Sequence, residues 1–300
     1  MKVKVLLSAY NGARYIEEQI DSILNQTYQE LELIVRDDGS VDGTVDILKE
    51  YEKKGLIQLE LGKNVGFVAS FFWLIEHGGD GDFFFFSDQD DVWFPQKVEM
   101  ALEKLKDVDH TKPVLYFSNY DFYDGDMKFI AHHESKGNKL SFRNSIVDCV
   151  PLGFNSCFNK KAQEMTIANM PKHSQGHDWW MYMLCSGLGQ VVYDERATVK
   201  YRRHNANVSG EEVSFFQFQV WRFKKLFLNG YFKKIREQII EFEQLFGSQL
   251  SKEDQKVLAL FTKQGFHPVN ALKKVFYPRY FRQKVLDEIF LRAVMLIGRL

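Results

Sequence analysis

Three hundred residues with 45% hydrophobic and 26% charged content describe a folded chain, long enough for one large or two smaller domains. Net charge is −1 but unevenly placed: residues 211–300 carry 16 Lys and Arg against 9 Asp and Glu, about +7, which leaves about −8 on residues 1–210. An acidic front excludes nucleic acid as a partner, because a phosphate backbone needs a basic surface. Cys149, Cys157 and Cys185 are odd in number and lack metal-type spacing, so reduced thiols in or near a core are expected. The apolar run after Met1 stops at Asn11-Gly12, too short for a signal peptide, and no stretch reaches the ~18 apolar residues of a membrane span. A cytoplasmic protein is expected.

In chain order, Val3, Val5 and Leu7 open a strand that ends at Asn11-Gly12, and Ile16, Ile20, Ile23 and Leu24 recur at helical spacing. Leu31–Val35 forms a second strand ending in Asp37-Asp38-Gly39-Ser40, followed by a helix marked by Val45, Leu48 and Tyr51. Ile57, Leu59 and Leu61 alternate as an edge-like strand, and Val68–Ile75 reads as a helix. Phe83–Phe86 is a strand buried on both faces, and Pro95 suits the first residue of a helix carrying Val98, Leu102 and Leu105. This β-α alternation predicts an open, mainly parallel sheet flanked by helices, an α/β fold.

From about Pro113 to Asn207 the pattern is irregular, with strands at Val114–Phe117 and Gln190–Tyr193 and the aromatic-rich His177-Asp178-Trp179-Trp180. Ser209-Gly210-Glu211-Glu212 reads as a capping box. Helical segments follow: Phe215, Phe218, Trp221 and Phe223, then Ile235, Ile239 and Phe242, then one opened by Ser251. His267-Pro268 interrupts them, and the last stretch, with Val285, Ile289 and Ala293, reads as amphipathic and basic.

Ser87-Asp88-Gln89-Asp90-Asp91 crowds three carboxylates at the end of the Phe83–Phe86 strand. An acidic turn and a divalent-cation site both account for such a cluster, since hard oxygen ligands suit Mg²⁺ or Mn²⁺. In open α/β sheets ligands bind outside the strands' carboxyl ends. Ser8-Ala9-Tyr10-Asn11, Asp37-Asp38 and Asp88–Asp91 all fall there, which favours a site.

Ser8-Ala9-Tyr10-Asn11-Gly12, Asn25-Gln26-Thr27-Tyr28, Asp37–Thr44 and Ser87–Asp91, in that order, resemble the successive signatures of glycosyltransferase family 2. The resemblance covers roughly residues 3–210, and Asp88-Gln89-Asp90-Asp91-Val92-Trp93 further resembles the bacterial rhamnosyltransferases that use dTDP-L-rhamnose. It implies a GT-A fold over residues 1–210, with a nucleotide-binding half (1–110) and an acceptor-side half (111–210). Residues 211–300 are a C-terminal helical extension.

The resemblance also implies roles. Asp90 coordinates Mg²⁺ or Mn²⁺, Asp88 lies near the ribose and the metal, and His204 is a late metal ligand. Ser8 and Tyr10 line the base, and Asp38 accepts a hydrogen bond from the imide N–H of uracil or thymine. Asp178 is the base that deprotonates the acceptor hydroxyl in inverting transfer. Arg202 or Arg203 pairs with the diphosphate.

Alternatives stay open for the neighbours of these residues. Asp91 is a third acid of the site or the cap of a helix beginning near Phe94-Pro95, and Asp37 caps the turn into Gly39. Trp179 and Trp180 are a wall for the sugar or core residues, and His177 orients Asp178 or makes a structural hydrogen bond. The chain departs from the family after Asn64-Val65-Gly66, where many members carry an Arg and this one has Phe67-Val68-Ala69-Ser70-Phe71. Lys63 substitutes, or the metal and Arg202-Arg203 carry the diphosphate.

The expected function is inverting, metal-dependent transfer of a sugar, L-rhamnose foremost, from a nucleotide-diphosphate donor to a saccharide or lipid-linked acceptor of cell-surface polysaccharide. UDP-glucose, UDP-galactose or UDP-N-acetylhexosamine are alternative donors. A sugar-phosphate nucleotidyltransferase would require a Gly-rich phosphate loop that Ser8–Arg14 does not provide. The basic tail, with Phe215, Phe216, Trp221 and Phe227, rests on anionic lipid at the inner face of the cell membrane. Otherwise it packs on the catalytic domain or on a second subunit, as a homodimer.

Overall fold

A computed structural model describes residues 1–133, 140–204, 230–263, 268–298 and 300. The expected capping box at 209–212, together with Phe215, Phe216, Phe218, Trp221, Phe223, Phe227, His267 and Arg299, lies outside the described residues.

The first half alternates strand and helix: β1 (Val3–Ala9), α1 (Ile16–Leu24), β2 (Leu31–Asp37), α2 (Thr44–Lys53), β3 (Gln58–Leu61), α3 (Phe67–His77) and β4 (Phe83–Ser87). Then come β5 (Val92–Trp93), α4 (Lys97–Leu105), β6 (Val114–Tyr123), β7 (Phe129–His132), α5 (Phe142–Ser145), β8 (Ser156–Asn159), α6 (Lys160–Ala168), α7 (His177–Leu188) and β9 (Gln190–Arg202). Among the described residues four more helices follow: α8 (Tyr231–Phe246), α9 (Lys252–Thr262), α10 (Pro268–Val275) and α11 (Val285–Leu296).

These elements form two compact units, Met1–Ser135 with Pro151–Met170 and Gly189–His204, and Lys136–Val150 with Pro171–Leu188 and Asn205–Leu300. The first unit holds one sheet in the order β3-β2-β1-β4-β8-β6-β9-β5, with β7 added on β6. Strands β3, β2, β1 and β4 are mutually parallel. Antiparallel β8 joins them to β6, which runs parallel to β9. The open sheet is therefore parallel in its nucleotide half and mixed beyond it.

Burial explains the aromatic run in β4. Phe83 and Phe85 pack into the core formed with β1, α1 and α4. On the opposite face Phe86 meets Phe71 edge-on at 5.4 Å, and Phe84 stacks on Phe158 at 5.4 Å. A strand covered on both faces has no polar positions to alternate. Helix α4 begins at Lys97, two residues after Pro95, and Gln96 occupies its N-cap.

In the second unit, Trp180 is fully buried and packs against Phe242 and Phe246 at 5.5 and 6.3 Å. Trp179 donates its indole N–H to the Ser145 carbonyl at 2.6 Å. Both tryptophans are core residues, not a wall for a ligand. Helix α9 starts as expected, with Ser251 Oγ accepting from Asp254 N at 3.1 Å.

Helix α11 buries Leu291, Val294 and Met295 on one side and exposes a second apolar stripe on the other. Val285, Leu286, Ile289 and Leu296 are 55, 74, 61 and 51% exposed, whereas Glu288 is buried. Glu288 Oε2 accepts from the Phe281 and Arg282 amides at 2.8 Å, and Oε1 pairs with Arg292 at 2.7 Å. Glu288 lies on the same buried side as Leu291 and Met295, with its carboxylate matched by these donors.

Candidate functional site

Parallel strands β1 and β2 end together, Ala9 pairing with Asp37, and β4 ends two residues short of them, Ser87 pairing with Leu7. The loops leaving them are therefore neighbours, and side chains join them. Asn11 N donates to Ser40 Oγ and Asn11 Oδ1 accepts from Val41 N, at 2.8 and 2.9 Å. Gly12 N donates to Thr44 Oγ1 at 2.8 Å. Gln89 clasps the Tyr10 backbone, accepting from its N–H at 2.8 Å and donating to its carbonyl at 2.9 Å. A Cβ on Gly12 would lie 2.2 Å from Gln89 Oε1, which explains the glycine.

Tyr10 is 46% exposed on this rim. Asp38 is buried and accepts three protein donors: Arg36 Nη1 (2.5 Å) and Val65 N (2.9 Å) at Oδ1, and Gly66 N (2.9 Å) at Oδ2. Ser70 Oγ accepts from Arg36 at 3.0 Å and shares a 2.7 Å hydrogen bond with Ser8 Oγ. Asp37 closes the turn, its Oδ2 taking the Gly39 and Ser40 amides at 3.0 and 2.8 Å. Gly39 has φ 85, where a side chain would be strained.

His204, two residues beyond β9, donates Nε2–H to Asp90 Oδ2 at 2.9 Å, and its ring lies tilted against Tyr15 at 4.8 Å. The carboxylate suits Mg²⁺ or Mn²⁺, and the imidazole suits them less strongly. Among the described residues no cluster of three His, Cys, Asp or Glu forms a cation cage. A cation held by so few protein groups would take its remaining ligands from elsewhere, as Mg²⁺ does from phosphates and water. Asp88 is half-buried beside this pair in sequence, and Ser87 Oγ donates to its carbonyl at 3.0 Å.

Asp91 is not a helix cap. It is fully buried, and Oδ1 accepts from Arg202 N at 3.1 Å. Burial and the Asp90 and Asp88 charges push its carboxyl well above the usual range, against the Arg202 amide and Lys97. Lys97 is fully buried as well, with Nζ 3.3 Å from the Phe154 carbonyl and 4.8 Å from the Trp93 ring centre. Burial lowers its pKa to about 7.

The Arg202 guanidinium is directed at protein groups. Nε donates to the Asp90 carbonyl at 2.8 Å and Nη1 to the Gly125 carbonyl at 3.0 Å, while Nη2 pairs with Glu18. Its side chain is 3% exposed. Arg202 therefore braces the loop that carries Asp90. Arg203 lies over Phe122, 3.9 Å from the ring centre.

Asp178 belongs to the second unit, in the first turn of α7. Its Oδ1 accepts from Trp179 N at 2.7 Å. A Cβ on Gly176 would fall 2.4 Å from that oxygen, so the glycine leaves room for the carboxylate. His177 beside it is buried, and burial pushes its imidazole down to about 3.

The sequence assigns no role to Arg36 or Ser70, nor to Gln89 and Gly12 within their motifs. Arg36 had a signal, a charge inside a strand otherwise apolar at Leu33, Ile34 and Val35.

Comparison with known proteins follows the same lines. The family model described as glycosyl transferase family 2 matches residues 4–161, just over half of the chain. An uncharacterized glycosyltransferase of Nostoc sp. is 33% identical over 221 residues, 69% of this chain and 66% of that protein. The dTDP-rhamnosyl transferase RfbG of Shigella flexneri is 26% identical over 70% of this chain and 75% of its own length. Among solved structures, S. aureus TarS 1–349 in complex with UDP-GlcNAc superposes with a TM-score of 0.56 at 15% identity, covering 99% of this chain and 91% of that one. That likeness gives the GT-A architecture, and the family match over residues 4–161 makes this chain a member of glycosyltransferase family 2.

Proposed function

We propose that this transferase is inverting and metal-dependent, and that it moves L-rhamnose from dTDP-L-rhamnose to a saccharide or lipid-linked acceptor in cell-surface polysaccharide synthesis. The observation that carries the reading is the convergence of Ser8, Tyr10, Asp38 and the Asp90–His204 pair around the carboxyl ends of the parallel strands. The Asp88–Trp93 wording and the likeness to RfbG support rhamnose as the sugar. Uridine donors are the second reading, because an acceptor at Asp38 suits uracil as well as thymine.

Tyr10 offers an exposed ring for the base to stack on, with Ser8 and Asp38 at its edge. Asp90, Asp88 and His204 would hold Mg²⁺ or Mn²⁺, which when bound offsets the charge of the departing diphosphate. Arg203, with Lys63, is the diphosphate contact, and Arg202 keeps Asp90 in place. Asp178 takes the proton of the acceptor hydroxyl as that oxygen bonds to the anomeric carbon. The carbon–oxygen bond to phosphate breaks, and its electron pair leaves with the nucleoside diphosphate.

The exposed apolar residues Phe276, Leu286 and Ile289, with exposed Lys273 and Lys284, support a membrane surface as a partner of the C-terminal helices. No helix of the described residues is long and apolar enough to cross a membrane. This reading places the protein at the cytoplasmic face of the cell membrane.

The test follows nucleotide release from a panel of nucleotide sugars with Mg²⁺ or Mn²⁺. Turnover of dTDP-L-rhamnose is expected. Turnover of a UDP-sugar alone would move the assignment to the second reading, and turnover of none would refute both.

A further inference from the structure

Arg36 is 5% exposed and sits in the parallel half of the sheet. Burying a guanidinium costs several kcal/mol unless its donors are matched. Here they are matched closely: Nη1 reaches Asp38 Oδ1 at 2.5 Å and Ser70 Oγ at 3.0 Å, and Nη2 reaches the Lys63 carbonyl at 3.2 Å. The Trp73 ring centre lies 5.8 Å from its Cζ.

Gly62 completes the slot. A Cβ there would lie 2.2 Å from Arg36 Nη2 and 2.7 Å from Cζ. The guanidinium is pinned by three acceptors, so it has little freedom to yield. The glycine is needed for contact with Arg36; its φ is outside the left-handed region.

The consequence falls on Asp38. A carboxylate offers about four lone-pair sites. Oδ1 takes Arg36 and Val65, and Oδ2 takes Gly66, so a single acceptor site is left on Oδ2. One remaining acceptor, fixed in direction, matches a single ring N–H. It repels the bare ring nitrogen that cytosine presents at the same edge.

We propose that Arg36, seated against Gly62, is the positioning residue for base selection, holding Asp38 so that the site prefers uracil or thymine over cytosine. The inference rests on the reading of the rim as a nucleotide site and adds to it the residue that sets selectivity.

The test is calorimetric titration of the full chain with UDP, dTDP and CDP in Mn²⁺, with melting temperatures recorded for every variant. The native protein is expected to favour UDP or dTDP over CDP. Arg36→Gln and Gly62→Ala should each weaken UDP and dTDP by at least about tenfold while CDP changes by less than about twofold. Arg36→Lys, which keeps one charged donor, should fall between. Equal loss of all three nucleotides would make Arg36 structural only and overturn the proposal. Should Arg36→Gln fail to fold, Gly62→Ala, which keeps every Arg36 donor, decides the matter. A native protein that binds these nucleotides without preference overturns the selectivity claim alone, whereas one that binds none of them removes the nucleotide site as well.

Discussion

His204 Nε2 and Asp90 Oδ2 lie 2.9 Å apart, although 114 positions separate them in the chain. The contact closes the acidic rim from the β9 side, and two groups acting on one cation should be coupled. His204→Ala and Asp90→Ala are each expected to weaken Mn²⁺-dependent donor binding by about 10–100-fold. The double variant should lose little more than the worse single one. Mn²⁺ titrations of donor binding across the four proteins check this, and additive losses would separate the two residues.

Arg202 and Arg203 are adjacent yet differ in task. Arg202→Ala strands the Asp90 and Gly125 carbonyls and the Glu18 carboxylate, and should cost about 2–4 kcal/mol of stability. Arg202→Lys should recover little, because one ammonium does not reproduce the guanidinium fork. Arg203→Ala should leave the melting temperature within a few degrees and raise the donor KM. Thermal melts and steady-state kinetics on the three variants separate bracing from binding.

His177 gives the fold an acid limit. Its imidazole is held down to about 3 by burial, whereas in the unfolded chain it titrates near 6.5. The unfolded state therefore binds the extra proton first, and stability is lost as the pH falls below about 6.5. At pH 5 the loss should be about 2 kcal/mol. His177→Gln should flatten this dependence, measured as denaturant midpoints from pH 7.5 to 5.

The outward apolar stripe of α11 predicts lipid binding. Flotation with vesicles containing anionic lipid should retain the native protein, and Leu286→Ser with Ile289→Ser should release it while nucleotide binding persists. Loss of a concentration-dependent dimer in the same variant, with no vesicle binding by either protein, would assign the face to a second copy.

The first four strands are legible in the sequence because each is short and ended by a turn, with apolar runs in β1, β2 and β4 and alternation in β3. The Asp37-Asp38 and Asp88–Asp91 clusters are legible because sheet topology places them on one rim. Helix α11 is less so: Val285, Leu286 and Ile289 compete as a core face with Leu291, Val294 and Met295, and the buried side is the one that carries Glu288 and its three donors. Asp91 reads equally well as a cap until Arg202 N is seen to reach it. The Arg202 hydrogen bonds to the Asp90 and Gly125 carbonyls are not legible either, because those partners are distant in sequence. Tertiary hydrogen bonds to backbone leave no periodic trace.

The account stands most directly on Asp90. Calorimetric titration with dTDP, in Mn²⁺ and then in EDTA, measures it on native protein and Asp90→Ala. The account predicts binding that requires Mn²⁺ in the native protein and falls by at least about tenfold in the variant, with the melting temperature little changed. Equal dTDP binding by the two proteins, with and without Mn²⁺, would contradict it.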